Sequence, residues 1–145
     1  MAADPAIIEP LNAVLTSKLT GINQYFLHAR ILKHQGDMKL ADYEYKASLD
    51  AMKHSDMLVE HILALGGLPN LQELDTLMIG RSAAEMMQNN LALLEIAQAR
   101  LHAAIEACGS RKDSAALLTK ILQGQQERME FLRQQLIHFQ RKECA

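Results

Sequence analysis

Apolar residues recur along this chain at the 3.6-residue period of an α-helix, in four long runs separated by glycine, proline and short polar residues. Asp4-Pro5 reads as an N-cap followed by proline at the first helical position. The periodicity then predicts a helix over about 5–35, with Gly36 as its stop. A second helix is predicted over about 38–65, closing at Gly66-Gly67. Ser82 and Glu85 form a capping box that opens a third over about 82–108, ending at Gly109. The fourth opens near Asp113-Ser114 and covers about 113–142. No stretch alternates with the two-residue period of a strand, so the predicted fold class is all-α, a single domain over residues 1–145.

Connection lengths then set the topology. The turns at 36–37 and 109–113 are short, which makes antiparallel hairpins of helices one and two and of helices three and four. The segment 66–81 is longer. A helix of about 28 residues is ~42 Å long, and about sixteen extended residues reach ~53 Å, so this segment can travel the whole bundle and leave helices two and three parallel. A four-helix bundle with one long crossover is the ferritin-like arrangement.

The first two helices carry more apolar surface than one core needs. Helix one has a stripe of Val14, Gly21, Tyr25 and Leu32, and beside it a second of Leu15, Leu19, Ile22 and Phe26. Helix two has Ala47, Ala51, His54, Leu58 and Ile62, with a neighbouring stripe of Tyr45, Leu49 and Met52. One stripe per helix faces the bundle, and the second predicts a buried partner face, either for oligomerisation or for a ligand.

Composition narrows the function. The 15 basic and 17 acidic residues give a formal net charge of −2, so there is no basic excess for nucleic acid. Hydrophobic residues make up 49 % of the chain and aromatics only 4 %, which predicts a core of Leu, Ile, Ala and Met. Cys108 and Cys144 are isolated, with no CxxC, which fits a reducing cytoplasm. Neither a signal peptide nor an apolar run long enough for a membrane span is present, so no membrane association is expected. There is no nucleophile elbow and no phosphate-binding glycine loop.

The segment Gly21-Ile22-Asn23-Gln24-Tyr25-Phe26-Leu27-His28-Ala29-Arg30 resembles the first helix of bacterioferritin. Met52-Lys53-His54-Ser55-Asp56 resembles that family's MKHAD stretch, and Glu60 to Leu71, with Gly67-Leu68-Pro69-Asn70-Leu71, resembles the end of its second helix and the start of its crossover. Ile79-Gly80 and Leu91-Ala92-Leu93 continue the match in order. The resemblance implies two-fold dimers, a hollow shell of twenty-four subunits storing ferric mineral, and haem b shared between two subunits. It places Met52 as the axial ligand of the haem iron, with Leu19, Ile22, Asn23, Phe26, Tyr45, Leu49, Lys53 and Met57 lining the haem pocket. Without the surrounding motif, a methionine on an apolar stripe is ordinary core filling.

The same resemblance implies a di-iron ferroxidase site whose ligands are missing here. Such sites take one Glu from each of two helices and Glu-x-x-His from each of the other two, and this chain contains no Glu-x-x-His. The family's ligand positions fall on Lys18, Ala51, His54, Leu94, Gln125 and Arg128, so only the histidine survives. Glu95, next to Leu94, lies about 100° around the helix and points elsewhere. His54 alone reads as a hydrogen-bonded core histidine, and Asp50 as part of a solvated face, with weak iron contact the alternative. Where the family adds a short fifth helix, the sequence holds only Gln140 to Ala145, so that helix is expected to be short or absent.

The expectation is thus a haem-binding subunit for intracellular iron storage and release. It has no di-iron centre, is not an enzyme on its own, and is paired with a ferroxidase-competent paralogue in a mixed shell or with copies of itself. The resemblance suggests an iron–sulfur ferredoxin as reductant. The alternative expectation is a stand-alone dimeric b-type cytochrome that moves electrons without storing iron, and a third is a ferroxidase with relocated ligands.

Overall fold

A computed structural model of the chain describes residues 3–144, apart from the side chain of Cys144, so the expectation for that thiol lies outside it. Among the described residues there are four helices and no strand: α1 (Pro5–His34), α2 (Met38–Ala64), α3 (Ala83–Cys108) and α4 (Lys112–Cys144). Residues 140–144 continue α4 rather than starting a further element. Caps explain where the first three begin. The carboxylates of Asp4 and Asp37 accept from the backbone N–H groups of Ala6 and Leu40, and the Ser82 hydroxyl accepts from Glu85 N–H. Gly36 and Gly66 adopt φ of +85° and +80°, a left-handed turn that ends α1 and α2 within one residue of their last helical turn.

The long connection settles the topology. Its backbone is held along α1 by a ladder of polar side chains on that helix. Asn12 donates to Leu68 O and accepts from Asn70 N–H. Higher up, Thr20 Oγ1 accepts from Asp75 N–H, Gln24 Oε1 from Met78 N–H, and His28 Nε2 from Gly80 N–H, while Gln35 donates to Arg81 O. The crossover therefore runs parallel to α1 from its first turns to its end. This delivers α3 antiparallel to α1 and parallel to α2, as the ferritin-like arrangement requires. An extended segment with no sheet partner has its donors satisfied by one helix face.

Two apolar clusters fill the bundle. One contains Ile7, Leu11, Leu15, Leu58, Ile62, Leu101, Leu118 and Ile121, and the other Leu32, Leu40, Met86, Met87, Leu93, Leu94, Met129 and Leu132. Leu15 therefore belongs to the core and not to the second stripe of α1 assigned from the sequence, because it is fully buried in the cluster with Leu11, Leu58 and Leu118. Between the clusters lies a polar layer containing Lys18 and Gln125, both buried. The backbones approach most closely in the pairs α1–α2, α1–α3 and α3–α4, and a cavity lies between α2 and α4 at the height of this layer. Among the described residues, no helix is long and apolar enough to cross a membrane.

Candidate functional site

The cavity has a volume of about 310 Å³ and draws its walls from all four helices. Lys18 and Tyr25 come from α1, Tyr43, Asp50, Ala51 and His54 from α2, Leu94 from α3, and Gln125 and Arg128 from α4. The six positions matched to the family's di-iron ligands, Lys18, Ala51, His54, Leu94, Gln125 and Arg128, thus surround one space. Glu95 is exposed and away from it.

The chemistry of this space is cationic. The Lys18 ammonium donates to Gln125 Oε1 at 3.0 Å, and the Gln125 amide donates in turn to Leu94 O at 3.1 Å, which fixes the side-chain oxygen toward the lysine. Burial, reinforced by the charge of Arg128, lowers the Lys18 pKa to about 8. The Arg128 guanidinium lies over the rings of Tyr25 and Tyr43, 5.3 and 5.1 Å from their centroids. Its Nη2 reaches the Asp50 carboxylate only at 3.9 Å, and its buried Nη1 has no hydrogen-bond partner. Asp50 keeps its side chain 40 % exposed, as expected of a solvated face, and also lines the cavity in a long ion pair with Arg128 of α4. The expectation for His54 is corrected. It is a half-buried residue of the cavity wall with no hydrogen bond to its ring among the described residues. Burial and the Lys18 charge push its pKa down to about 4, so the imidazole is neutral at pH 7. Among the described residues, no three His, Cys, Asp or Glu side chains are grouped to hold a metal ion. The donor set of a di-iron centre does not fit here, because carboxylates must both bridge the ions and offset their charge.

A buried network missed in the sequence lies outside the cavity lining. Asn90 donates to the buried carboxylate of Glu44 at 2.8 Å and accepts from Gln24 at 3.0 Å and from the His28 ring at 2.9 Å. Since His28 Nε2 accepts from Gly80 N–H, its Nδ1 carries the proton donated to Asn90. Burial raises the Glu44 pKa to about 7, against the opposing effects of Arg128 and Asn90. Scattered polar residues on three elements gave no linear motif, so only the bundle geometry reveals this cluster.

The strained ammonium gives a stability prediction. The folded-state pKa of Lys18, about 8, lies below its ordinary 10.5, so the folded state is penalised at pH 7 and the penalty fades as pH rises from about 8 to 10.5. Lys18→Met removes the buried charge and fills similar volume. The variant is expected to be more stable than the natural protein by ~1–3 kcal/mol at pH 7, with the gap narrowing toward pH 10.5. Urea unfolding at both pH values checks this, and an unchanged gap would show that the ammonium is not strained.

The second region is a face, not a cavity. Phe26, Tyr45, Leu49 and Met52 are exposed by 44, 40, 48 and 58 %, although each is large and apolar. Leu19, Ile22 and Met57 beside them are half-buried, and Asn23 and Lys53 are exposed. Their spacings of three and four along α1 and α2 put them on one side of that hairpin. Phe26 packs its ring 6.2 Å from that of Tyr45, and the Arg30 guanidinium lies 5.2 Å from both centroids. Met52 is not core filling: its thioether is among the most exposed apolar groups of α2. An accessible, neutral, soft sulfur on an apolar patch is a donor set that suits haem iron.

Fold and sequence comparison now agree on the class. A ferritin-like domain family matches residues 8–142. Over 138 residues the chain is 41 % identical to a bacterioferritin of Streptomyces coelicolor, covering 94 % of this chain and 83 % of that protein. It is 38 % identical to a bacterioferritin of Mycobacterium leprae and 34 % identical to one of Brucella melitensis, with 94 % of this chain and 87 % and 86 % of those proteins covered. The chain belongs to the bacterioferritin family.

Proposed function

We propose that this chain is the haem-carrying, ferroxidase-silent subunit of an iron-storing shell. Family membership supports iron storage as the general role. The observation that carries the finer reading is a contrast within one subunit. The Met52 face keeps its soft donor and apolar surround in the open, while the cavity behind it is lined by Lys18 and Arg128 where iron ligands are needed.

In this reading, Met52 from each of two subunits ligates haem b at a shared interface. Leu19, Ile22, Phe26, Tyr45, Leu49 and Met57 supply the apolar contact, and Asn23 and Lys53 edge it. Two neutral thioethers favour the ferrous state because they add no negative charge to offset the ferric ion. The haem, when bound, supplies one-electron transfer between an outside reductant and stored iron. The side chains around it exclude water and fix the porphyrin, burying the large apolar groups that the lone subunit exposes. Oxidation of incoming Fe(II) falls to a second, ferroxidase-competent subunit in a shell of twenty-four. A small iron–sulfur ferredoxin in the cytoplasm fits as the reductant.

Isolation of the native assembly, with metal, haem and subunit analysis, tests this. The expected result is a large particle containing iron, haem and a paralogous subunit with an intact ligand set. A shell built only from this chain overturns the mixed assembly, and an iron-free dimer carrying haem favours an electron-transfer cytochrome instead.

A further inference from the structure

The reading above leaves the central cavity without an occupant. We propose that the cavity between α2 and α4 is a binding site for a small inorganic oxyanion of the phosphate class. The proposal rests on the reading that this space no longer takes iron, and goes beyond it by assigning the space a ligand of opposite charge.

Three observations carry it. First, buried cationic donors stand without partners. The Lys18 ammonium has three N–H donors and one side-chain partner among the described residues, the Gln125 oxygen. Arg128 Nη1 is buried with no partner, and its nearest carboxylate, Asp50, stands at 3.9 Å from the other nitrogen, beyond hydrogen-bonding distance. Second, the donors are held in place. Lys18 is only 7 % exposed, its partner Gln125 is anchored to Leu94 O, and the Arg128 guanidinium lies over two tyrosine rings. Its two terminal nitrogens, one unpartnered and one at long range from Asp50, are the groups with which a guanidinium recognises a tetrahedral oxyanion. Third, the two cations, from α1 and α4, line one space of about 310 Å³ together with Lys46, ample for an anion and accompanying water. The repulsion between Lys18 and Arg128 contributes to the depressed basicity of the lysine, and an anion between them removes that conflict.

The carboxylates near the cavity do not already play this part. Asp50 meets Arg128 only at long range, Glu127 lines the cavity but is exposed, and Glu44 lies outside the lining, with one oxygen bound to Asn90, the other unpaired, and its carboxyl held largely uncharged below pH 7 by burial. A divalent cation in the depth of the same space meets the buried charges of Lys18 and Arg128, while the acids of its lining, Asp50 and Glu127, are the more exposed groups.

The test uses the assembled protein freed of iron, with inorganic phosphate as the probe, followed by equilibrium dialysis and by the thermal midpoint. The expected result is saturable binding of one phosphate per subunit and a midpoint that rises with phosphate. Lys18→Met and Arg128→Gln should each weaken binding on the order of tenfold or more, the loss of one charge-assisted hydrogen bond. Glu95→Gln, on the exposed side of α3, should leave binding unchanged. Two substitutions on different helices keep the test open if one variant fails to fold. Absence of saturable binding to the natural protein, or binding by both variants as tight as that of the natural protein, overturns the proposal. A parallel titration with Fe(II) separates the two readings. Iron filling the cavity overturns the ferroxidase-silent reading, whereas failure of both ions to bind overturns only the anion site.

Discussion

Replacing Met52 by leucine is expected to abolish haem binding while leaving the subunit folded. Met52 is 58 % exposed, so leucine creates no cavity, and the unfolding free energy should stay within ~0.5 kcal/mol of the natural value. In the proposed haem site, by contrast, the iron would lose the most exposed thioether of the α1–α2 face. The loss of affinity should exceed the ~10–100-fold that removal of a mere supporting hydrogen bond costs a metal site. Haem retention through gel filtration and the absorption spectrum of the reduced protein are the measurements. Met52→His should bind haem again but with an imidazole-type spectrum, since the ligand and not the patch sets the ligand field. An unchanged spectrum in both variants would show that the porphyrin is held without Met52.

The second large effect concerns the cavity. A variant carrying Lys18→Glu, Ala51→Glu, Leu94→Glu, Gln125→Glu and Arg128→His, with His54 retained, should bind about two Fe(II) per subunit and oxidise them rapidly, because the full carboxylate and imidazole set is then present. The natural chain should show neither property. The iron-free variant should be less stable than the natural protein, since the new carboxylates crowd one another without a metal, and Fe(II) should restore the loss. Stopped-flow oxidation and melting with and without Fe(II) are the readouts. Fast oxidation by the natural protein assembled alone would sink the reading of a silent site. A folded restored variant that ignores Fe(II) would show that more than the ligand set has been lost.

Much of the architecture was written in the chain. Helical periodicity, the caps at Asp4 and Ser82 and the stops at Gly36 and Gly66 act through neighbours a few residues away, so sequence order alone reveals them. The doubled stripe of α2 likewise pointed to a face, and Tyr45, Leu49 and Met52 do stand exposed on it. Other features depended on groups far apart in sequence. The crossover is held by Asn12, Thr20, Gln24 and His28, polar positions on a helix that periodicity alone reads as solvated or neutral. The Asn90–Glu44 pair joins α3 to α2, and the Arg128 guanidinium crosses to Asp50 and two tyrosines of other helices.

By itself the sequence determined the all-α class, the four helices, the length of the crossover and the loss of the Glu-x-x-His ligand pattern, because each is a matter of local spacing or residue type. Only the tertiary structure decided that Leu15 is core, that His54 and Asp50 line a cavity, and that Lys18 and Arg128 crowd the same space. Those outcomes turn on which helix faces meet and at what distance. The strength of a charge in a folded protein is set by the burial and neighbours that such meetings create.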